Sequence, residues 1–213
     1  MGIYSRYIFP RMMDMGMSDG PFTAYRQKLL KDAGGSVLEI GIGTGLNLPH
    51  YGKAVTKLSG IDPNPGMSTI LRKRSGADYP FETEFIQGDA TALPYNDHSF
   101  DVVVSTWTLC SVTPASRALE EIARVLVPGG EFLFIEHGLS PDRGVGWFQH
   151  VLTPIQKRIA DGCHLNKPIP EIIESSPLQT VRIETFYMQK VPKFGGYTFM
   201  GMARKQKPEK RTV

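Results

Sequence analysis

Short apolar runs alternate with helix-compatible stretches over most of the chain. The runs that we interpret as strands cover residues 36–40, 57–62, 84–89, 101–106 and 131–138, and the stretches that predict helices between them cover residues 65–76 and 114–130. Strands that alternate with helices predict a parallel sheet covered by helices on both faces. The pattern therefore indicates an α/β fold.

The region after residue 138 departs from this alternation. Residues 145–165 predict a long helix that is interrupted at Pro154. Two strand-like runs follow at residues 181–189 and 196–205, and a short connection joins them. This connection predicts a hairpin, so the final strand should be antiparallel to its neighbour.

Apolar residues recur at helical spacing in the predicted long helix. They are Trp147, Phe148, Val151, Leu152, Ile155 and Ile159. These side chains could wall a lipophilic pocket, or they could form the side of the helix that faces the core. The spacing favours the core-facing interpretation.

The two ends of the chain are expected to lie outside the alternating domain. Residues 1–33 predict two helical segments with a break around residues 18–21. We therefore assign residues 1–35 to an N-terminal helical cover and residues 36–205 to the main domain. The basic residues 206–213 predict a disordered tail.

Composition narrows the class of protein. The chain has 213 residues, of which 41% are hydrophobic and 21% charged, and this balance suits one domain with a full core. The net charge of +3 is too small to predict a nucleic-acid partner. Cys110 and Cys163 do not make a disulfide framework, so they indicate a reducing, cytoplasmic location. The amphipathic start and the basic tail leave a peripheral membrane contact open.

A glycine-rich stretch, "VLEIGIGTG", follows the first predicted strand. Glycines in a turn between a strand and a helix let a ligand approach the backbone, and the helix N–H groups then point at it. Gly41, Gly43 and Gly45 are spaced differently from the G-x-G-x-x-G of dinucleotide sites. Glu39 would also repel a pyrophosphate, whereas it suits a ligand that carries an ammonium group. A turn that binds no ligand is the alternative.

Acidic residues also end the next two predicted strands. Open α/β sheets bind ligands at the carboxyl ends of their strands. Asp62 could there accept hydrogen bonds from both hydroxyls of a ribose, or it could simply form the turn before Pro63. Asp89 could accept a hydrogen bond from an adenine amino group, while Ala90 offers its backbone N–H to the ring.

Four segments in order resemble the class I S-adenosylmethionine-dependent methyltransferases. They are "VLEIGIGTG", "GIDPNPGM", "GDATALPYNDHSFDVV" and "EIARVLVPGGEFLFIEH", within residues 36–138. The resemblance implies S-adenosylmethionine as cofactor, S-adenosylhomocysteine as product and a small-molecule methyl acceptor. It also implies a Rossmann-like, seven-stranded, mostly parallel sheet in the order 3-2-1-4-5-7-6, with strand 7 antiparallel.

The resemblance further assigns residues to the cofactor. It implies that the acid and the glycines of the first segment lie near the methionine moiety, and that Thr106 and Leu109 line the cleft after the fourth strand. The cofactor-binding set that it implies is Glu39, Gly41, Gly43, Gly45, Asp62, Pro63, Asp89, Ala90, Thr106 and Leu109.

A narrower resemblance concerns the methyl acceptor. The segments "DVVVSTWTLCSV", "EHG" and "DGCHL" are similar to a methyltransferase-like subfamily whose animal members are membrane-associated alkyl thiol methyltransferases. This similarity implies a small, lipophilic thiol as acceptor, although the chain lacks the long apolar N-terminal anchor of those members. A phospholipid amine or a quinone-like phenol is the alternative acceptor. A module that binds the cofactor without catalysis is the alternative from another class.

A thiol acceptor must lose its proton before it can attack a methyl group. His137, at the end of the fifth predicted strand, is the first candidate base, and His164 beside Cys163 is the second. A histidine held by core hydrogen bonds is the common alternative. The spacing of cysteines and histidines does not resemble a zinc site, so we predict no metal. The segment before residue 18 could form a lid with Tyr4 and Tyr7 toward the ligand, or merely cover the sheet.

Overall fold

The computed structural model describes residues 2–18 and 20–207 and contains one seven-stranded sheet. Its strands are β1 (Gly35–Ile40), β2 (Val55–Asp62), β3 (Glu82–Gln87), β4 (Phe100–Thr106), β5 (Leu126–His137), β6 (Leu178–Tyr187) and β7 (Tyr197–Lys205). Their order is β3-β2-β1-β4-β5-β7-β6. The pairs among β1 to β5 are parallel, while β7 is antiparallel to both β5 and β6. The predicted order and the antiparallel final strand are confirmed.

Helices cover both faces of the sheet. They are α1 (Phe9–Met17), α2 (Pro21–Leu30), α3 (Pro65–Arg74), α4 (Ala115–Val125), α5 (Arg143–Ile159), α6 (Ile169–Glu174) and α7 (Lys193–Gly196). A π-helical turn, Tyr4–Ile8, leads into α1, and a 3₁₀ turn, Leu48–His50, follows the glycine stretch. Among the described residues, no helix has both the length and the apolar character needed to cross a membrane. The last six residues of the predicted tail, 208–213, lie outside the described residues.

The core has two parts because successive strand residues point to opposite faces of the sheet. Leu38 of β1 and Val103 of β4 pack with α4 on one face. Val37 and Val104, their neighbours in sequence, pack on the other face with Leu30 of α2. All of these side chains are buried. The sheet is therefore covered on both sides, as its apolar strands predicted.

The predicted helix over residues 114–130 is too long. The α-helix ends at Val125, because Leu126 adopts an extended conformation and pairs with Phe100 of β4. Pro128, Gly129 and Gly130 consequently lie within β5 rather than at the end of a helix. A local stop signal of this kind marks a boundary only to within a few residues.

Pro154 does not interrupt the predicted long helix. Helix α5 runs continuously from Arg143 to Ile159, so the predicted break was wrong, and the helix also ends before residue 165. Proline removes one helical hydrogen bond and leaves the carbonyl of His150 without its donor. Both residues are exposed, so water can satisfy that carbonyl.

The apolar stripe of α5 faces outward, which contradicts the core-facing interpretation. Trp147 is 67% exposed, and Val151, Ile155 and Ile159 are each at least half exposed. The helix is instead attached through Gln149, which is fully buried. Its amide accepts a hydrogen bond from the Ser140 backbone and donates to the carbonyls of Gly138 and Phe194.

Candidate active site

A cavity of about 600 Å³ lies at the carboxyl ends of the central parallel strands. The fold brings most of the predicted site residues to its wall, namely Glu39, Gly41, Gly43, Asp62, Pro63, Asp89, Ala90, Thr106 and His137. Gly45, Leu109 and His164 are not among the lining residues. Leu109 is instead fully buried in the core, and His164 bonds through Nδ1 to the carbonyl of Gly162.

The three glycines all adopt the left-handed conformation, but they differ in how much space a side chain would have. A Cβ on Gly41 would lie 2.2 Å from Oγ1 of Thr108, and one on Gly45 would lie 2.7 Å from Cδ1 of Leu71. A Cβ on Gly43 would have only the Gly41 carbonyl oxygen near it, at 3.8 Å. Gly41 and Gly45 are therefore required by packing within the protein, whereas Gly43 leaves open space beside the cavity.

Asp62 connects β2 to the glycine loop. Its Oδ2 accepts a hydrogen bond from the backbone of Gly43 at 3.0 Å, and its Oδ1 accepts one from the backbone of Asn64 at 2.8 Å. Burial raises the pKa of this carboxyl to about 6, while the two backbone donors oppose the rise. Asp62 thus forms the turn and lines the cavity at once, so the two alternatives from the sequence are not exclusive.

Glu39 is buried and both of its carboxylate oxygens are already hydrogen-bonded. Oε1 accepts from Nδ2 of Asn47 at 2.8 Å, and Oε2 accepts from the hydroxyl of Tyr51 at 2.7 Å. Burial raises the pKa of Glu39 to about 8, and the buried guanidinium of Arg26 opposes that rise. The sequence analysis missed all three partners. Two of them, Asn47 and Tyr51, lie within six residues after the last glycine of the loop, and that position was the available signal.

Asp89 and Ala90 lie where the chain leaves β3. Oδ1 of Asp89 accepts hydrogen bonds from the backbone and the hydroxyl of Thr91, both at 2.8 Å. Asp89 is exposed, whereas Ala90 is buried and packs in the core. Both residues line the cavity, and they follow β3, the strand that pairs with β2 and its terminal Asp62.

The loop after β4 is held by a buried glutamate and a half-buried lysine that the sequence analysis did not identify. Glu136 accepts hydrogen bonds from the hydroxyl of Ser105 at 2.6 Å and from the backbone of Thr108 and Cys110. Lys167 donates to the carbonyl of Leu109 at 2.8 Å and to the carbonyl of Val112. The loop after β4, which forms part of the cavity wall, is consequently held in place by both Glu136 and Lys167.

Three reactive side chains meet at the end of the cavity beside β5. Nε2 of His137 lies 3.0 Å from Sγ of Cys163, and a ligand atom of Cys110 lies within 4.8 Å of both. All three residues are buried and line the cavity. Nδ1 of His137 is buried and has no hydrogen-bond partner in the protein.

The N-terminal segment closes one side of the cavity. Phe9, Met13 and Met17 are among its lining residues. Tyr4 does not face the cavity, because its hydroxyl donates to the carbonyl of Ile159 at 2.7 Å, and Tyr7 is half exposed. The expected orientation of the two tyrosines is therefore wrong, although other residues of the same segment line the cavity.

The match to known proteins agrees with this geometry. Residues 38–134 match a family described as a methyltransferase domain. The chain is 36% identical over 158 residues to thiol S-methyltransferase TMT1B of Rattus norvegicus, covering 70% of this chain and 62% of that protein. It is 32% identical over 171 residues to phosphatidylethanolamine N-methyltransferase of Cereibacter sphaeroides, covering 72% of this chain and 78% of that protein. The chain belongs to the class I S-adenosylmethionine-dependent methyltransferases.

The fold is also that of a solved methyltransferase. The methyltransferase in the complex with the Haloferax volcanii activator Trm112 superposes with a TM-score of 0.71 at 18% identity, over 95% of this chain and 96% of that one. The family and the sheet order expected from the sequence motifs are both confirmed. This methyltransferase chain spans 62% of the length of the thiol S-methyltransferase that it matches.

The cavity of this methyltransferase fits S-adenosylmethionine. Oδ1 of Asn47 is buried, has no partner in the protein and belongs to a residue that lines the cavity. An ammonium group would supply the missing donor. Gly43 leaves space for a ligand, and Asp62 retains acceptor capacity for hydroxyl groups. Asn47 would therefore hold the amino-acid end of the cofactor and Asp62 its ribose.

Proposed function

We propose that this protein transfers a methyl group from S-adenosylmethionine to a small, lipophilic thiol. The observation that carries the proposal is the apolar character of part of the cavity wall. The cavity that His137 lines is also lined by Leu165, Met188, Val191 and Phe194. The similarity to a thiol S-methyltransferase supports the same acceptor class.

The residues around this part of the cavity would orient and deprotonate the acceptor. S-adenosylmethionine supplies a methyl group on a sulfonium, so the protein needs no nucleophile of its own. The apolar side chains exclude water and hold the acceptor sulfur in line with the methyl group. His137 is the histidine that lines the cavity, and it would accept the thiol proton. The new S–C bond then forms as the bond to the sulfonium breaks.

A phospholipid amine is the second candidate acceptor. The outward stripe of α5 and the exposed Ile3 are neighbouring apolar surfaces, because the hydroxyl of Tyr4 donates to the carbonyl of Ile159 at the end of α5. Lys157 and Arg158 adjoin the stripe. These features support a peripheral contact with an anionic membrane. A lipid of that membrane could then enter the cavity as the methyl acceptor. The relative that methylates phosphatidylethanolamine supports this alternative. The cytoplasmic location stays a prediction.

A methylation assay with isotope-labelled S-adenosylmethionine tests the proposal. The acceptors are alkyl thiols of increasing chain length, phosphatidylethanolamine in vesicles and quinols. We expect labelled thioether, formed faster as the alkyl chain lengthens, and formed at least about tenfold more slowly by the Asp62→Asn variant at a cofactor concentration below its Kd. Label on the lipid or the quinol instead would exclude the thiol as the preferred acceptor. Tight cofactor binding without transfer to any acceptor would indicate a binding module.

A further inference from the structure

Two cysteines and one histidine converge at the cavity wall from distant parts of the chain. Cys110 follows β4, His137 ends β5 and Cys163 follows α5. Their ligand atoms all lie within 4.8 Å of one another, and all three side chains are buried. Thiolate sulfur and imidazole nitrogen are the ligands that soft and borderline divalent cations select.

We propose that Cys110, His137 and Cys163 bind a single Zn²⁺ ion, or a cation of the same chemical class, with one coordination position open to the cavity. Structural zinc sites are closed by four protein ligands, whereas catalytic sites have three and leave a position for a water or a substrate. Here the three ligands line the same cavity as the proposed cofactor residues. The open position would therefore face the methyl acceptor.

The backbone around the three ligands is already fixed, as a metal site requires. The N–H of His164 donates to the carbonyl of Cys110 at 3.0 Å, which joins the two cysteine segments directly. The backbone of Cys110 also donates to the buried carboxylate of Glu136, and Lys167 holds the carbonyl of the residue before it. Such supporting contacts orient metal ligands and limit the rearrangement on binding.

The chemistry of the three side chains also suits a bound cation. Nε2 of His137 lies 3.0 Å from Sγ of Cys163 and is the ring nitrogen that would bind the ion. The two cysteines are both free and do not form a disulfide. Two thiolates also balance the charge of a divalent cation, which lowers the cost of burying the three groups together. The prediction of no metal considered only local spacing, and the geometry gives a reason to revise it.

The inference rests on the proposed thiol acceptor and changes how that thiol is activated. The acceptor sulfur would occupy the open position and release its proton to water, because a coordinated thiol is deprotonated. The coordinated thiolate would attack the methyl group: the new S–C bond forms, the sulfonium C–S bond breaks, and S-adenosylhomocysteine and a neutral thioether result. The thioether is a weaker ligand than the thiolate and would leave. His137 would then act as a ligand and not as the base.

Metal titration of the full-length protein tests the site. The chain is dialysed against a chelator and titrated with Cd²⁺, a zinc substitute whose bonds to sulfur absorb in the ultraviolet. We expect one ion per chain, an absorption that Zn²⁺ abolishes by competition, and an affinity reduced about tenfold or more in Cys110→Ser, Cys163→Ser and His137→Gln. His150→Gln, in an exposed histidine, is the matched control and should bind normally. Binding that is absent, or unchanged in both cysteine variants, would overturn the proposal.

A second measurement does not depend on the variants folding. Zn²⁺ should slow alkylation of Cys110 and Cys163 in the wild-type protein, as followed at each residue by mass spectrometry. Unchanged alkylation rates would contradict the site.

Activity separates this inference from the function on which it rests. Thiol methylation that is lost on chelation and restored by Zn²⁺ would support both. Undiminished thiol methylation by metal-free protein would overturn the role of the cation and retain the thiol acceptor, with His137 as base. Stoichiometric binding by the three residues without any thiol methylation would support the metal site and exclude the proposed acceptor.

Discussion

The backbone N–H of Gly43 donates a hydrogen bond across 3.0 Å to Oδ2 of Asp62. This contact joins Gly43, the loop glycine with open space beside it, to the end of β2. A carboxylate offers about four acceptor positions, and the backbone of Gly43 and Asn64 occupies two of them. The remaining positions can receive two ribose hydroxyls, so one residue can both shape the loop and bind a ribose.

Asp62→Asn should weaken nucleoside binding and alter its pH dependence. Because hydrogen bonds to a charged group contribute roughly 1.5–3 kcal/mol each, we expect a loss of about tenfold or more. Burial raises the pKa of Asp62 to about 6, so wild-type affinity should fall as the pH drops through 6 and the carboxylate becomes protonated. Calorimetry with 5′-methylthioadenosine, which has no amino-acid group, measures both effects. An equal pH slope in the variant would show that another group is responsible.

Gly41→Ala and Gly43→Ala should separate folding from binding. The methyl group in Gly41→Ala would collide with Thr108, so we expect a loss of roughly 2–4 kcal/mol in the free energy of unfolding. In Gly43→Ala the added methyl group meets open space, and only the left-handed backbone costs about 1–2 kcal/mol. That variant should nevertheless bind S-adenosylhomocysteine poorly, because the methyl group occupies the ligand's space.

Urea unfolding and calorimetry on the same preparations distinguish the two glycines. Normal S-adenosylhomocysteine affinity in Gly43→Ala would mean that the ligand does not approach this part of the loop.

Helix α1 offers a matched pair of methionine variants. Met13 and Met17 line the cavity, while Met12 and Met15 on the same helix are at least half exposed. Replacing Met13 and Met17 by Ala should reduce kcat/KM for a water-soluble thiol about tenfold, because apolar contact with the ligands is lost. Replacing Met12 and Met15 by Ala should leave kcat/KM unchanged. Equal effects of the two double variants would indicate that α1 acts only through stability.

The exposed stripe of α5 should bind anionic vesicles. Trp147 lies at one end of the stripe and is 67% exposed, so its fluorescence should shift to shorter wavelength when vesicles that contain phosphatidylserine are added. Val151→Ser should weaken this binding, whereas Val181→Ser, in an equally exposed valine on β6, should not. The measurement is a fluorescence titration at low and high salt. Binding that the two variants reduce equally would place the contact elsewhere.

Much of the fold and the position of the cofactor site follow from local sequence patterns. The apolar runs of β1 and β4 identify strands that are buried on both faces, and Asp62 and the glycines mark strand ends. Carboxyl ends of parallel strands necessarily meet at one edge of a sheet. For this reason the sequence was sufficient to bring Gly43 and Asp62 together. The effect of the Arg26 charge on Glu39 needed the structure, because Arg26 lies on the separate helix α2.

Helical periodicity did not determine which way α5 faces. The stripe from Trp147 to Ile159 has the spacing of a core-facing helix, yet it is exposed. Periodicity defines a face of a helix and not what that face contacts. The orientation is decided by Gln149, whose three hydrogen bonds attach the opposite face to the domain.

The sequence by itself determined the family, because its motifs are short segments along the chain, and the resemblance to that family implied the strand order. It also determined the glycine and carboxylate positions, because carboxyl ends of parallel strands share one edge of the sheet. Only the tertiary structure decided which residues meet at the acceptor end of the cavity. Cys110, His137 and Cys163 converge there although 26 residues separate the last two. No local spacing encodes that contact, since it depends on how β5, α5 and the loop after β4 pack against one another.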